Sequence, residues 1–210
     1  MSTRVLLADD HALVRQGLKT FLERQGFQVA CEASNGQEAV EMAAKAQPDV
    51  AILDVSMPLL NGIDAARELK RLSPKAKVIL LTKHDEDHYV TDALRAGVCG
   101  YVLKSQVASD LLHAIEEVRR GSVYLSPGIS PAVIGPHLSK TSVPADPLST
   151  RERQVLQLVG EGKSTREAAQ HLGVSVKTVE SHRTRLMRKL GIHETASLVR
   201  YAIRRGLVQP

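Results

Sequence analysis

The sequence predicts an α/β fold, a doubly wound parallel sheet, followed by a linker and a small all-α unit of four helices. Three observations carry this. Four short aliphatic runs end on polar residues, as strands buried on both faces do. Five prolines and two glycines then crowd residues 124–147, punctuation that interrupts regular structure. Beyond them, helical patterns opened by Ser and Thr recur towards the end of the chain. A length of 210 residues suits two small domains better than one large one.

Taken in order, Val5-Leu6-Leu7-Ala8 closes on Asp9 and Asp10, and Val50-Ala51-Ile52-Leu53 closes on Asp54, with Met57-Pro58 just after it. Val78-Ile79-Leu80-Leu81 closes on Thr82, and Tyr101-Val102-Leu103 on Lys104. In an open parallel sheet, ligand chemistry gathers at the carboxyl ends of the strands. Carboxylates crowded into one crevice repel one another unless a cation joins them. Magnesium takes oxygen ligands and keeps several waters, so Asp9, Asp10 and Asp54 could hold Mg²⁺ and leave a position for a phosphoryl oxygen. Lys104 is a flexible point charge suited to a phosphate, and the Thr82 hydroxyl can donate a hydrogen bond. Aspartate can form an acyl phosphate, and central Asp54 is the candidate acceptor. Alone, each residue reads as a helix cap or a solvated loop acid. Together, at the ends of successive strands, they do not.

Asp9, Asp10, Asp54, Pro58, Gly62, Thr82, Tyr101 and Lys104 resemble the receiver domain of two-component response regulators, over residues 1–122. The resemblance implies a five-stranded, flavodoxin-like sheet and phosphorylation of Asp54 by a sensor histidine kinase. It implies Mg²⁺ held by Asp10, Asp54 and the main-chain carbonyl of Ser56, with Asp9 acting mainly through water. It makes Thr82 and Tyr101 the moving parts: the hydroxyl swings toward the phosphoryl group and the ring turns inward behind it. Exposed residues of the first helix are implied to meet the kinase, while Leu13, Val14, Gly17 and Leu18 are expected to pack into the core. Ser56 and His84 each lie two residues beyond a site residue. They are expected to rim the pocket and tune the lifetime of the acyl phosphate, against the plainer reading of His84 as a solvent-facing loop residue.

Composition excludes other classes. No run approaches about 18 apolar residues, and no signal-peptide pattern precedes the first strand, so a cytoplasmic protein is expected. Cys31 and Cys99 lack metal-type spacing and read as reduced thiols. Without Trp, and with 2 Phe and 4 Tyr, there is no aromatic platform for single-stranded nucleic acid. Charge is uneven. Residues 146–210 carry 12 Lys and Arg against 6 Asp and Glu, a net of +6, which leaves −1 for residues 1–145 of the overall +5. A basic module attached to a neutral one suggests a polyanion partner for the second half.

Residues 123–145 are the expected linker, with a short helical turn around 132–138. Ser149-Thr150-Arg151-Glu152 and Ser164-Thr165-Arg166-Glu167 are capping boxes that open two helices. Gly160 and Gly162 end the first, and Gly173 makes a tight turn after the second. Ser175 caps a longer helix to about Leu190, and a last helix covers roughly 194–205. Two helices joined through a central Gly fit a helix-turn-helix, whose second helix enters the DNA major groove. On that helix Val176, Val179, Leu186 and Leu190 form an apolar stripe. Opposite lie Lys177, Ser181, Thr184 and Arg188, with Arg185 beside them, a mixture of cations for phosphates and small polar groups for base edges.

Leu148-Ser149-Thr150-Arg151-Glu152, Ala168-Ala169-Gln170-His171-Leu172, Lys177-Thr178-Val179-Glu180-Ser181-His182 and Lys189-Leu190 resemble the effector domain of LuxR-type regulators of the NarL/FixJ family, over about 146–208. Carried onto this chain, base reading falls to Glu180, Ser181 and Thr184, and phosphate contact to Lys177, Thr178, His182, Arg185 and Arg188. Glu180 departs from the family, which often has Lys there or at the position of Thr184. A glutamate can accept from cytosine N4, implying a different site preference; it could equally pair with Arg183 or Thr184. Ala168-Ala169 replaces a β-branched residue then Ala, a conservative departure in a packed turn.

The chain therefore reads as a transcriptional response regulator and not an enzyme: receiver 1–122, linker 123–145, effector 146–210, with Mg²⁺ as cofactor. Its expected partners are double-stranded DNA with two half-sites, a histidine kinase and, at least when phosphorylated, a second copy of the chain. RNA polymerase is a further candidate, and no membrane is involved. Whether the unphosphorylated form is restrained by domain docking or is merely too weak a dimer stays open. A phosphatase working through aspartyl phosphate would need a general acid/base and a lid, and no Asp stands two residues after Asp54. A receiver used only for protein contacts would be expected to lack an acid, the Thr or the Lys, and all are present.

Overall fold

The computed structural model describes residues 2–85, 87–129 and 147–208, with His88 through its backbone alone. Pro131, Pro136 and Pro144, the expected turn at 132–138 and the 145/146 boundary lie outside the described residues. The chain divides into two compact units, Met1–Thr141 and Ser142–Pro210.

The first unit alternates strands and helices: β1 (Arg4–Ala8), α1 (Ala12–Arg24), β2 (Gln28–Ala33), α2 (Gly36–Ala46), β3 (Val50–Asp54), α3 (Gly62–Leu72), β4 (Lys77–Thr82), α4 (Asp87–Arg95), β5 (Gly100–Leu103) and α5 (Val107–Arg120). All strands pair in parallel, in the order β2-β1-β3-β4-β5-β6, where β6 is the short strand Tyr124–Leu125. Because successive side chains leave a strand on opposite faces, each aliphatic run feeds two cores. Leu6, Ala8, Ala51, Leu53 and Leu80 pack with α2, α3 and α4. Val5, Leu7, Val50, Ile52, Ile79 and Leu81 pack with α1 and α5. Strand order reverses at β1, whose neighbours are β2 and β3, so the crevice at the carboxyl ends of β1 and β3 is the topological switch point.

Three differences from the sequence reading have physical causes. The sheet gains a sixth strand, β6 (Tyr124–Leu125), in what was expected to be linker; Gly121, at φ +93°, ends α5 and turns the chain back along β5. The edge strand β2, Gln28–Ala33, has no aliphatic run because one side of it is open, and its Glu32 pairs with Lys19 at 2.6 Å. On α1, Leu13 is 88% exposed and Val14 and Gly17 are also exposed; of the expected four only Leu18 is buried, and Leu22 joins it in the core contact. The buried face is thus set one turn further along than expected.

The second unit holds α6 (Thr150–Gly160), α7 (Thr165–Leu172), α8 (Val176–Leu190) and α9 (Thr195–Arg204). Both capping boxes form at Ser149 and Ser164, and the Ser175 side chain accepts from the Thr178 N–H. Gly173 takes the left-handed conformation, φ +63°, that lets α7 turn into α8. Val155, Leu156, Leu158, Ala168, Val179, Leu186, Leu198 and Ala202 fill the core. Of the expected α8 stripe, Val179 and Leu186 are buried, Leu190 is half-buried and Val176 is exposed. Among the described residues, no helix is long and apolar enough to cross a membrane.

Candidate functional site

At the switch point, Asp9 and Asp10 follow β1 and Asp54 ends β3. One ligand atom from each of Asp9, Asp10, His11 and Asp54 lies within 4.8 Å of the others. Asp9 and Asp54 are buried, while Asp10 remains open to solvent. The Lys104 ammonium stands between the two buried acids, 2.9 Å from Asp9 Oδ2 and 2.8 Å from Asp54 Oδ2. Burial pushes the Asp54 carboxyl above its ordinary range, and the neighbouring Lys104 ammonium offsets only part of that. Burial pulls the Lys104 ammonium down, but Asp54 and Asp9 outweigh it and hold the amine above its usual value. The Ser56 N–H donates to Asp54 Oδ1 at 3.4 Å.

This donor set fits a hard divalent cation: three carboxylates converge, and one is open to the solvent that would complete the shell. Sequence reasoning passed over His11, although the run Asp9-Asp10-His11 was its signal. Its Nδ1 is 2.8 Å from Asp10 Oδ1 and 3.3 Å from Asp9 Oδ1, and its N–H donates to Asp9 Oδ1 at 2.8 Å as α1 begins.

Thr82 and Tyr101 converge on the loop after β4. The His84 N–H donates to Thr82 Oγ1 at 3.0 Å, and the Tyr101 hydroxyl donates to the His84 carbonyl at 3.0 Å. Tyr101 is fully buried, its ring already turned inward. The His84 imidazole stacks on Tyr89 with centroids 4.2 Å apart, so it is a half-buried packing group rather than a free loop side chain.

In the second unit, Lys177, Glu180, Ser181, Thr184, Arg185 and Arg188 line one open hollow of about 460 Å³ along α8, and all six side chains are exposed. Thr178 and His182, at the margin, are half-buried. Thr178 Oγ1 is 2.8 Å from Ser175 Oγ, within the helix cap. The hydroxyls of Ser181 and Thr184 donate to the carbonyls of Lys177 and Glu180, each at 2.9 Å, which leaves their lone pairs outward. The Glu180 carboxylate pairs with neither Arg183 nor Thr184: Arg183 bonds Thr195 Oγ1, and Thr184 bonds the Glu180 main chain. Lys189 bonds the buried Glu152 carboxylate at 2.6 Å and ties the end of α8 to the start of α6.

Two stretches of the chain match known protein families. Residues 5–116 match the response regulator receiver domain, and residues 146–202 match the LuxR family of bacterial regulatory proteins. The chain is 40% identical over 206 residues to the transcriptional regulatory protein MctR of Rhizobium johnstonii, covering 98% of this chain and 95% of that one. It is 36% identical over 214 residues to the oxygen regulatory protein NreC of Staphylococcus carnosus, covering 98% and 99%. Among solved structures, the Salmonella typhimurium response regulator RcsB superposes with a TM-score of 0.63 at 30% identity, over 96% of this chain and 97% of that one. RcsB of Salmonella enterica serovar Typhimurium, bound to a promoter in the presence of phosphomimetic BeF₃⁻, gives 0.61 at 28% identity, over 96% and 98%.

Proposed function

The chain belongs to the DNA-binding two-component response regulators of the LuxR/NarL type, transcriptional regulators rather than enzymes, and from that membership we propose that Asp54 is its phosphoacceptor, charged by a sensor histidine kinase. The observation that carries the proposal is the Lys104 ammonium poised between buried Asp9 and Asp54 beside open Asp10. Asp10, Asp54 and the Ser56 main-chain carbonyl would hold Mg²⁺, with Asp9 acting through water. The ion supplies charge neutralisation for the acids and the incoming phosphoryl oxygens.

An Asp54 oxygen attacks phosphorus, and the acyl phosphate forms as the donor's own group leaves with its electron pair. Lys104 exchanges its contact with Asp54 for a phosphoryl oxygen, which it serves as a point charge. Thr82 turns its hydroxyl proton toward the phosphoryl group. Its Oγ1 already accepts from the His84 N–H, so that movement pulls on the loop that Tyr101 holds from the other side. Ser56 and His84, two residues beyond the acceptor and the threonine, regulate the water that hydrolyses the acyl phosphate. A bias of a few kcal/mol between two receiver states is enough to change the population of DNA-binding dimers.

In the effector, Lys177, Thr178, His182, Arg185 and Arg188 contact phosphates, while Glu180, Ser181 and Thr184 read base edges. The exposure of the α8 hollow, and a Glu180 carboxylate that among the described residues bonds neither Arg183 nor Thr184, support this division. Two effectors related by a dyad read two half-sites, an arrangement favoured by the likeness to promoter-bound RcsB. The exposed Leu13 and Val14 of α1 suit a kinase contact. The protein acts in the cytoplasm, where kinase and DNA meet, and RNA polymerase is a further partner.

The test is incubation of the full chain with Mg²⁺ and acetyl phosphate, read by mass and by DNA mobility. One phosphoryl group should appear, should be lost in Asp54→Ala, and should tighten DNA binding. No mass increase, or DNA binding indifferent to both donor and variant, overturns the proposal.

A further inference from the structure

The root of the linker is built into the carboxyl end of β5, immediately beside Lys104. β6 pairs with β5 through Gly100 opposite Tyr124 and Tyr101 opposite Leu125. The Ser126 N–H then donates to the Tyr101 carbonyl at 2.9 Å. A longer strand would offer the Leu103 N–H a main-chain carbonyl next, but Pro127 and Gly128 turn the chain away. The Ser126 hydroxyl takes that place, accepting from the Leu103 N–H at 3.1 Å while donating to Asp110 Oδ2 at 2.7 Å.

Asp110, on the first turn of α5, is almost fully buried and also accepts from Ser109 Oγ at 2.7 Å. Burial pushes its carboxyl up, but the hydroxyls of Ser126, Ser109 and Tyr124 outweigh it and hold it below the usual range, so it stays an anionic acceptor. Burial, then the Asp110 charge, raises the Tyr124 hydroxyl to about 12, so it stays a neutral phenol. Three residues beyond Ser126, Ile129 is buried in the same core as Tyr101. A buried serine held at both ends has no freedom to reorient, so the Val102–Leu103 peptide, one residue before Lys104, is fixed by a residue from the start of the expected linker.

Resting on the phosphoacceptor reading above, we propose that Ser126, oriented by Asp110, is a positioning residue for Lys104, and that this latch couples phosphorylation of Asp54 to the docking of the linker root. The coupling is reciprocal by necessity. If the docked root favours the Lys104 geometry that receives a phosphoryl group, then a phosphoryl group on Asp54 favours the docked root. The residues that lead on to the effector are thereby held or released according to the state of the site.

The experiment uses the full chain with Mg²⁺ and acetyl phosphate, following the rate of phosphoryl uptake, and hydrogen exchange over residues 124–129. Ser126→Ala should slow uptake by about fivefold, the equivalent of one hydrogen bond of ~1 kcal/mol when tenfold is ~1.4 kcal/mol. Ser109→Ala removes a bond to the same Asp110 without touching Leu103 and should leave uptake within about twofold, although both variants loosen the same corner. In the wild type, phosphorylation should change exchange at 124–129; in Ser126→Ala that response should be lost. Uptake by Ser126→Ala equal to wild type overturns the inference. So does equal slowing in Ser109→Ala, which would reduce the latch to general stability, and so does exchange at 124–129 that ignores phosphorylation. A wild-type chain that takes up no phosphoryl group overturns the phosphoacceptor reading and this inference with it.

Discussion

Replacing Gly62 with Ala probes how the acceptor strand is held. Gly62 opens α3, and a Cβ there would lie 2.1 Å from the Asp54 carbonyl oxygen and 2.9 Å from its carbonyl carbon. Ordinary contact begins near 3.4 Å, so the Asp54 carbonyl or the start of α3 must retreat by about 1.3 Å. The obstacle is backbone, which no rotamer change relieves. Overpacking of this kind costs about 1–3 kcal/mol, against at most ~1 kcal/mol gained in helix propensity, so a net loss of roughly 1–2 kcal/mol is expected. Shifting the reacting carboxylate by the order of 1 Å costs up to ~100-fold in rate, so phosphoryl uptake should fall at least about tenfold. Urea unfolding and acetyl phosphate uptake measure the two effects. Gly17→Ala is the matched control, since nothing lies within 4 Å of its Cβ and it sits exposed within α1. It should leave uptake unchanged and raise stability by up to ~1 kcal/mol. If Gly62→Ala unfolds at the wild-type midpoint and accepts phosphate at the wild-type rate, the close approach of α3 to Asp54 is not what fixes the site.

Lys104→Met leaves Asp9 and Asp54 buried without their shared cation; stability in EDTA should drop by roughly 2–4 kcal/mol, and Mg²⁺ should raise Tm more than it does for the wild type, whereas an identical Mg²⁺ response would contradict the charge argument. Burial pushes the Glu152 carboxyl up, but Lys189 and the Ser149 N–H outweigh it and hold it below its ordinary 4.5; its contribution is therefore complete above about 4.5 and fades as pH falls through the lower folded value. Hydrogen exchange in α6 and α8 of the full chain should accelerate over that acidic window, and Glu152→Gln should flatten the dependence. Arg188→Ala should weaken binding to all DNA sequences alike and lower the salt slope of log K by about one, while Glu180→Gln should instead alter which base is preferred; binding assays across salt and across site variants tell the two effects apart. His84→Ala, which removes the stack on Tyr89 but keeps the N–H to Thr82, should change the dephosphorylation rate of the acyl phosphate; an unchanged rate assigns the imidazole to packing alone.

The carboxyl-end acids, Thr82 and Lys104 were legible because each closes an aliphatic run, and a buried parallel strand announces itself by an unbroken apolar stretch, whereas Tyr101 was singled out by the resemblance. The two effector capping boxes were legible for a similar reason: a Ser with a Glu three residues on is a local device whose partners are fixed by the helix itself. Signals of this kind need no knowledge of what lies across the molecule.

What the tertiary structure decided depends on residues far apart in the chain. The buried face of α1 follows from where the helix meets the sheet, so Leu13 could be placed inside by its apolarity and yet stand in solvent. β2 carries too few aliphatics to be read alone and becomes a strand by pairing with β1. Ser126 looked like linker because Pro127 and Gly128 follow it. Only the fold brings its hydroxyl between Leu103 and Asp110, 23 and 16 residues back, where burial turns a loop serine into part of the site's support. Sequence by itself thus determined which polar groups close the strands at the crevice and where the effector helices begin and turn, because those signals repeat at the short periods of strands and helices. Folding decided which surfaces are buried and how the acids, the lysine and the start of the linker are held together, because the hydrogen bonds and packing involved join segments whose separation leaves no local pattern.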